Sequence, residues 1–442
     1  MPGQGFDPAG KAPIEFLTSP FTRFAKMEAS GGILLLICTT AALVWANSPW
    51  QHSYEHLWEA PLTIAFGRAA VSISRHHWIN DGLMSIFFFL VGLEIKREVL
   101  IGELSSLKQA AFPFLAAVGG SVTPAVIYVL TTRSTGAQRG WGIPMATDIA
   151  FALGALALLG SRVPPALKVF VAALAIVDDI LCVLVISIFY TSDISMVSLG
   201  IAAAGLGVSC VANWLGVRAP AVYGLISLFV WAAVLNSGVH ATIAGVVMAF
   251  TIPANTYIDR AVFLARTRSL LGKLEQAGEH SAEEHDAVHG LERQCELVQS
   301  PLHRIEHALH PWVGFFIMPL FALANAGVPI LENLRAALSH PVTIGVTLGL
   351  FFGKPLGITA VAWLGMKLKI AAPPAGVSWT QIFGASWLCG IGFTMSLFVA
   401  GLAFADVILL DMAKIGILGA SALAGAAGAM MLRSAGNSKA AA

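Results

Sequence analysis

The run from Ala166 to Tyr190 limits what this chain can fold into more than any other stretch. It is apolar almost throughout and long enough to cross a bilayer as a helix. A segment in hydrocarbon must satisfy its own backbone N–H and C=O groups, so a helix is the available solution. Two adjacent acids, Asp178 and Asp179, stand in the middle of the run. A carboxylate at bilayer depth is costly. It faces a bundle interior or an aqueous cavity, and it commonly marks an ion or proton path.

The run is one of about twelve. Spans are expected near 31–48, 80–100, 110–131, 143–160, 166–190, 195–215, 219–236, 238–253, 311–328, 342–365, 381–404 and 407–432. Of the 442 residues, 57% are hydrophobic and 12% charged, and the mean hydropathy is +0.76. Soluble domains carry about 25% charged residues. The class is therefore an all-α polytopic membrane protein with about twelve transmembrane helices. No alternating pattern suits a barrel. A net charge of +1 gives no argument for nucleic acid. Cys38, Cys182, Cys210, Cys295 and Cys389 are scattered and make no metal-ligand spacing.

Lysine and arginine set the orientation. With a cytoplasmic N-terminus, nineteen fall on the cytoplasmic side and five on the other: Arg68, Arg75, Arg133, Arg139 and Arg335. Lys354 and Lys414 lie inside spans. That bias suits an even number of spans with both termini in the cytoplasm. Residues 1–20 read as a cytoplasmic tail without the apolar core of a signal peptide, and 434–442 as a second tail. The one long polar segment, 254–306, reads as a cytoplasmic loop in which Ser281 to Gln299 can form solvated helix. Residues 61–77 alternate with a period of two and suggest an extracytoplasmic hairpin, whose edge invites a second chain; a loop lying on the membrane surface is the alternative.

Two spans have polar, Gly- or Pro-broken centres. The fourth carries Gly142-Ile-Pro144-Met-Ala-Thr147-Asp148, and the eleventh Gly390-Ile-Gly392-Phe-Thr394-Met-Ser396. Each is the middle member of a triplet, spans three to five and ten to twelve. Paired broken helices in matching positions point to a binding site between inverted-topology repeats.

Asp178 and Asp179 point about 100° apart on a helix, so one can face a cavity while the other meets a neighbour. Close carboxylates in low dielectric resist double ionisation. Hard cations such as Na+ or Li+ favour the same oxygens, so cation and proton compete at Asp178 and Asp179. Asp148 can offset the positive amide ends of a broken helix, and Thr147 can offer oxygen to a cation. Lys354 can compensate negative helix ends or pair with an aspartate. Asp411 and Lys414 read as a helix-surface ion pair.

Toward the cytoplasm, Glu94 and Glu98 share a helix face with Lys96 and Arg97 between them. His303, Glu306, His307 and His310 open the ninth span. Such a funnel can attract cations and sense pH; a solvated, charge-paired helix end is the plainer reading. A zinc pair at His303 and His307 lacks a ligand set. His280, His285 and His289 are loop residues. His240 heads a span at the outer side, as an interface anchor or a proton relay.

The chain resembles the NhaA-type bacterial sodium/proton antiporters from about residue 20 to 433. The resemblance rests on Phe89-Leu-Val-Gly-Leu-Glu94-Ile-Lys-Arg-Glu98, Ala146-Thr-Asp148-Ile-Ala-Phe-Ala-Leu-Gly154, Leu174-Ala-Ile-Val-Asp178-Asp179, His310-Pro-Trp312, Leu320-Phe-Ala-Leu-Ala-Asn-Ala-Gly327, Gly353-Lys354-Pro-Leu-Gly357 and Leu388-Cys-Gly-Ile-Gly-Phe-Thr-Met-Ser396. It implies one antiporter domain over 21–433 in the bacterial inner membrane, with the fourth and eleventh helices discontinuous and crossed near Gly390 and Gly392. It implies electrogenic, pH-regulated exchange of Na+ or Li+ outward for more than one H+ inward, without a cofactor or enzymatic step, serving sodium extrusion and cytoplasmic pH homeostasis. By match to the motifs, Asp179 is the principal cation ligand and Asp178 the second titrating carboxylate, able to pair with Lys354. Thr147 and Asp148 complete the site. Glu94, Arg97, Glu98, Glu306 and His307 form the pH-response region, and the hairpin 61–77 carries a homodimer contact. The loop before the ninth span is longer than the family's, His303 stands where the family can have lysine, and Ile180-Leu-Cys182 replaces a common Leu-Gly-Ala.

Other classes fit less well. A sodium-coupled symporter of an organic solute needs a larger amphipathic cavity and a second sodium site. A diphosphate-using intramembrane enzyme wants more acids for magnesium, yet position 183 is valine. A channel does not need a buried lysine coupled to a titrating pair.

Overall fold

The computed structural model describes residues 30–66, 69–191, 194–277 and 281–437. The expected tail 1–20, and the part of the other beyond 437, lie outside the described residues. Helices dominate because the apolar runs leave the backbone no other partner. In chain order they are α1 (Ser30–Ala46), α2 (Gln51–Glu59), α3 (Met84–Leu100), α4 (Leu107–Thr131), α5 (Ile149–Leu158), α6 (Pro165–Phe189), α7 (Met196–Trp214), α8 (Pro220–Leu235), α9 (Ala241–Thr251), α10 (Arg260–Gln276), α11 (Ala282–Val298), α12 (Pro301–Trp312), α13 (Met318–Asn325), α14 (Ile330–Ser339), α15 (Pro341–Leu348), α16 (Lys354–Lys367), α17 (Trp379–Leu388), α18 (Phe393–Ala403) and α19 (Val407–Asn437).

Among the described residues, eight helical stretches are long and apolar enough to cross a membrane, or up to ten if each of two bent pairs is one span. The pairs are α1 with α2, bent by 115°, and α17 with α18, bent by 48°. Helices α8 and α9 are apolar but shorter, and occupy the places expected of the seventh and eighth spans. The ninth span starts earlier than 311. It runs Pro301–Asn325, because Leu302 and Glu306 bury one face of α12 although its histidines made the stretch look polar. The turn into α2 follows Asn47-Ser-Pro, where proline cannot continue α1.

The chain divides into two compact units. The first comprises Met1–Glu59, Lys108–Cys182 and Met318–Ala442. Here α4 and α16 approach backbone to backbone. A Cβ on Gly119 would lie 2.2 Å from the Gly357 carbonyl oxygen, and one on Gly357 would lie 2.1 Å from that of Gly119. Only glycine fits both positions, as in other tightly packed membrane helices. A π-turn, Gly349–Gly353, leads into α16 and places Lys354 at its first position, with Pro355 where a missing N–H costs nothing. The fourth span is a 3-10 stretch, Ala137–Met145, then extended backbone, then α5.

The second unit comprises Ala60–Leu107 and Val183–Ile317. Its hairpin pairs β1 (Pro61–Phe66) with β2 (Ala69–Ser74) antiparallel, in a register running from Pro61↔Ser74 to Phe66↔Ala69. The period-two reading of 61–77 therefore forms strands as far as Ser74. The described residues of the loop 254–306 are largely helical. They fold α10 against α11, and Ser281 caps α11 by accepting from the Glu284 N–H.

Candidate functional site

The site grows from α6. Asp178 and Asp179 are both 2% exposed, and Lys354 is fully buried. The Lys354 ammonium donates to Asp178 Oδ2, a charge-assisted pair with neither side chain exposed. The other oxygen, Oδ1, accepts from the Ser121 hydroxyl at 2.9 Å. Of the two roles open to Lys354, the structure gives it the aspartate. The Gly119–Gly357 contact explains the reach: it brings α4, which carries Ser121, against α16, which carries Lys354. Cys182, one turn beyond the acids, lies within electrostatic reach of Asp178, Asp179 and Lys354.

The two broken spans meet beside it. Thr147 Oγ1 donates to the Cys389 carbonyl at 2.9 Å, and the Asp148 N–H to the Ile391 carbonyl at 2.7 Å. Ser396 Oγ donates back to the Ile143 carbonyl at 2.8 Å. Asp148 caps α5 by accepting from the Phe151 N–H at 3.1 Å. Its second oxygen accepts from both the N–H and the hydroxyl of Thr394 at the start of α18. The expected offset of positive amide ends therefore falls on two helices rather than one. Gly390 and Gly392 are required by space. A Cβ on the first would lie 2.5 Å from the Leu350 carbonyl oxygen, and one on the second 2.2 Å from Ser396 Oγ. Cys389, whose carbonyl holds Thr147, is itself fully buried at the crossing.

The second unit gathers the other predicted residues. Arg97 pairs with Glu306 through Nη1, and with Glu98 through Nη2 at 3.1 Å. Glu94 Oε1 lies 3.5 Å from His310 Nε2. Glu306 is 5% exposed, and its Oε2 lacks a hydrogen-bond partner. His307 is exposed and stacks on His303 at 6.4 Å between ring centroids, whereas His310 is the histidine that meets an acid. His240 Nε2 lies 3.5 Å from Asp81 Oδ1, which favours a polar role over an anchor.

Sequence reasoning missed Ser121, the double use of Thr394, and Lys96. The Lys96 ammonium caps the carbonyl end of α9 at Phe250 and Ile252. A hydroxyl in an apolar span was the available signal for Ser121. The side chains around the acid pair offer oxygen ligands suited to a hard monovalent cation, in carboxylates and hydroxyls. Among the described residues no three His, Cys, Asp or Glu side chains are placed to hold a metal ion.

Comparison with known proteins places the whole chain. The family described as Na+/H+ antiporter 1 matches residues 22–432. A Na(+)/H(+) antiporter NhaA of Koribacter versatilis is 62% identical over 425 residues, covering 96% of this chain and 93% of the relative. One of Oleidesulfovibrio alaskensis is 50% identical over 431 residues, covering 96% of each. A Na(+)/H(+) antiporter NhaA 2 of Syntrophotalea carbinolica is 48% identical over 433 residues, covering 97% and 99%. With the acid pair, the buried lysine and the two broken helices in one unit, and a match over nearly the whole length, the chain belongs to the Na+/H+ antiporter 1 family.

Proposed function

We propose that the protein is an electrogenic secondary antiporter of the bacterial inner membrane, exporting Na+ or Li+ in exchange for inward H+. The observation that carries the reading is the buried Lys354–Asp178 pair with Asp179 beside it. Charges this deep persist only when paired. A proton on Asp179 leaves the site neutral, because Asp178 and Lys354 cancel. A cation that replaces that proton uses the same oxygens. Loss of a second proton from the Asp178–Lys354 pair leaves the loaded site one unit more negative than cation-for-proton replacement alone. Exchange of more than one proton per cation follows, and with it net charge movement. The broken helices supply what a mobile cation needs, fixed partial charges balanced by Asp148, without a further buried full charge.

In this reading Asp178, Asp179, Thr147 and Asp148 form the cation and proton site, and Lys354 couples it. The cluster of Glu94, Arg97, Glu98, Glu306 and His307 sets the pH response from the cytoplasm, and His310 joins it through Glu94. Both termini are cytoplasmic, and the hairpin contributes to a homodimer. Sodium-coupled symport of an organic solute has no observation in its favour.

The test is Na+- or Li+-evoked dissipation of a pH gradient in everted vesicles, scanned from acid to alkaline pH. Wild type should respond and Asp179→Asn should not. Absence of any cation-dependent proton flux in folded wild type would sink the proposal.

A further inference from the structure

A hydroxyl in a membrane helix usually bonds the carbonyl three or four residues back on its own helix. Several in this chain do so: Thr39 to Leu35, Thr132 to Tyr128 and Thr191 to Ser187. Ser121 does not. It is 2% exposed, lies in the apolar span of α4, and donates across to Asp178 Oδ1 on α6 at 2.9 Å. The two oxygens of Asp178 are thereby divided, one to a neutral donor and one to the Lys354 ammonium.

The two bonds fix the carboxylate from two different helices, α4 and α16. A hydrogen bond to a charged group is the strong kind. The placement is built into the fold, since Gly119 and Gly120 allow α16 to approach on the same side. A Cβ on Gly120 would lie 2.7 Å from Ile358 and 3.7 Å from Lys354 Cδ.

We propose that Ser121 is a positioning residue of the exchange, fixing one oxygen of the Asp178 carboxylate from α4 while Lys354 engages the other from α16. The proposal rests on the reading of Asp178 and Asp179 as the exchange site.

The test is antiport in proteoliposomes with Ser121→Ala and Ser121→Cys beside wild type and Asp179→Asn. With the donor gone, the carboxylate is held less firmly for the cation. The apparent KM for Na+ of Ser121→Ala should rise by about three- to tenfold, and the maximal rate should stay near wild type. Ser121→Cys, whose thiol is a weak donor, should fall between. A KM that superimposes on wild type overturns the proposal. So does a uniform loss of rate at unchanged KM, which marks a packing role only. Activity of Asp179→Asn separates the two readings. If that variant still exchanges Na+ for H+, the site assignment itself fails; if it is inactive and Ser121→Ala is silent, only the role of Ser121 fails.

Discussion

Thr394 gives both its backbone N–H and its hydroxyl to one oxygen of Asp148, 246 residues earlier in the chain. The other Asp148 oxygen caps α5. One carboxylate therefore closes the N-termini of two helices that belong to different spans. Helix N-termini carry partial positive charge, so an acid between two of them is stabilised twice.

Asp148→Ala should leave several buried donors without partners. Each costs about 1–3 kcal/mol, so the variant should melt well below wild type in detergent and transport poorly. Asp148→Asn keeps one acceptor oxygen and should recover part of the stability but not the charge. A melting temperature for Asp148→Ala equal to wild type would contradict the double cap.

Lys354→Ala should destabilise more than the double variant with Asp178→Asn. Breaking a buried pair from one side strands a charge, at about 3–5 kcal/mol. Removing both charges avoids that. A double-mutant cycle on thermal unfolding measures the difference, and additive losses would show that the two side chains do not depend on each other. Both variants should lose electrogenic exchange.

Arg97→Ala strands Glu306 in the same way, though Arg97 is 37% exposed and solvent screens the loss. The cost should be about 1–2 kcal/mol. The cluster joins α3 to α12 within one unit, so the pH of half-maximal antiport should move by about half a unit. Arg97→Ala with Glu306→Gln should restore most of the stability. A pH profile unchanged in Arg97→Ala would remove this cluster from the pH response.

Gly357→Ala places a methyl 2.1 Å from the Gly119 carbonyl oxygen, so α4 and α16 must separate. Overpacking costs about 1–3 kcal/mol. The separation also withdraws Ser121 and Lys354 from Asp178, so antiport should fall more steeply than stability. Wild-type transport by a folded Gly357→Ala protein would show that the close approach is not needed.

Much of this was legible in the chain. Asp178-Asp179 inside an apolar run, a lysine inside another, and two interrupted spans each announce themselves because polarity in hydrocarbon is rare. The partners were less legible. Ser121 sits among residues that would pack equally well without it, and nothing local says that its hydroxyl leaves its own helix. His307 and His310 lie three apart on one helix, and only the placement of Glu94 decides which meets an acid. Helix α10 has no buried residue, so no hydrophobic period marked it within the polar loop. The bend after α1 was written in Asn47-Ser-Pro49, but a proline says where a helix stops and not where the chain goes next.

The bonds at the crossing run in both directions. Thr147 holds a carbonyl of the eleventh span, and Ser396 holds one of the fourth. A tether that pulls both ways resists sliding. Any cycle that opens the acids first to one face of the membrane and then to the other must therefore carry residues 143–148 and 389–396 together, as one moving part.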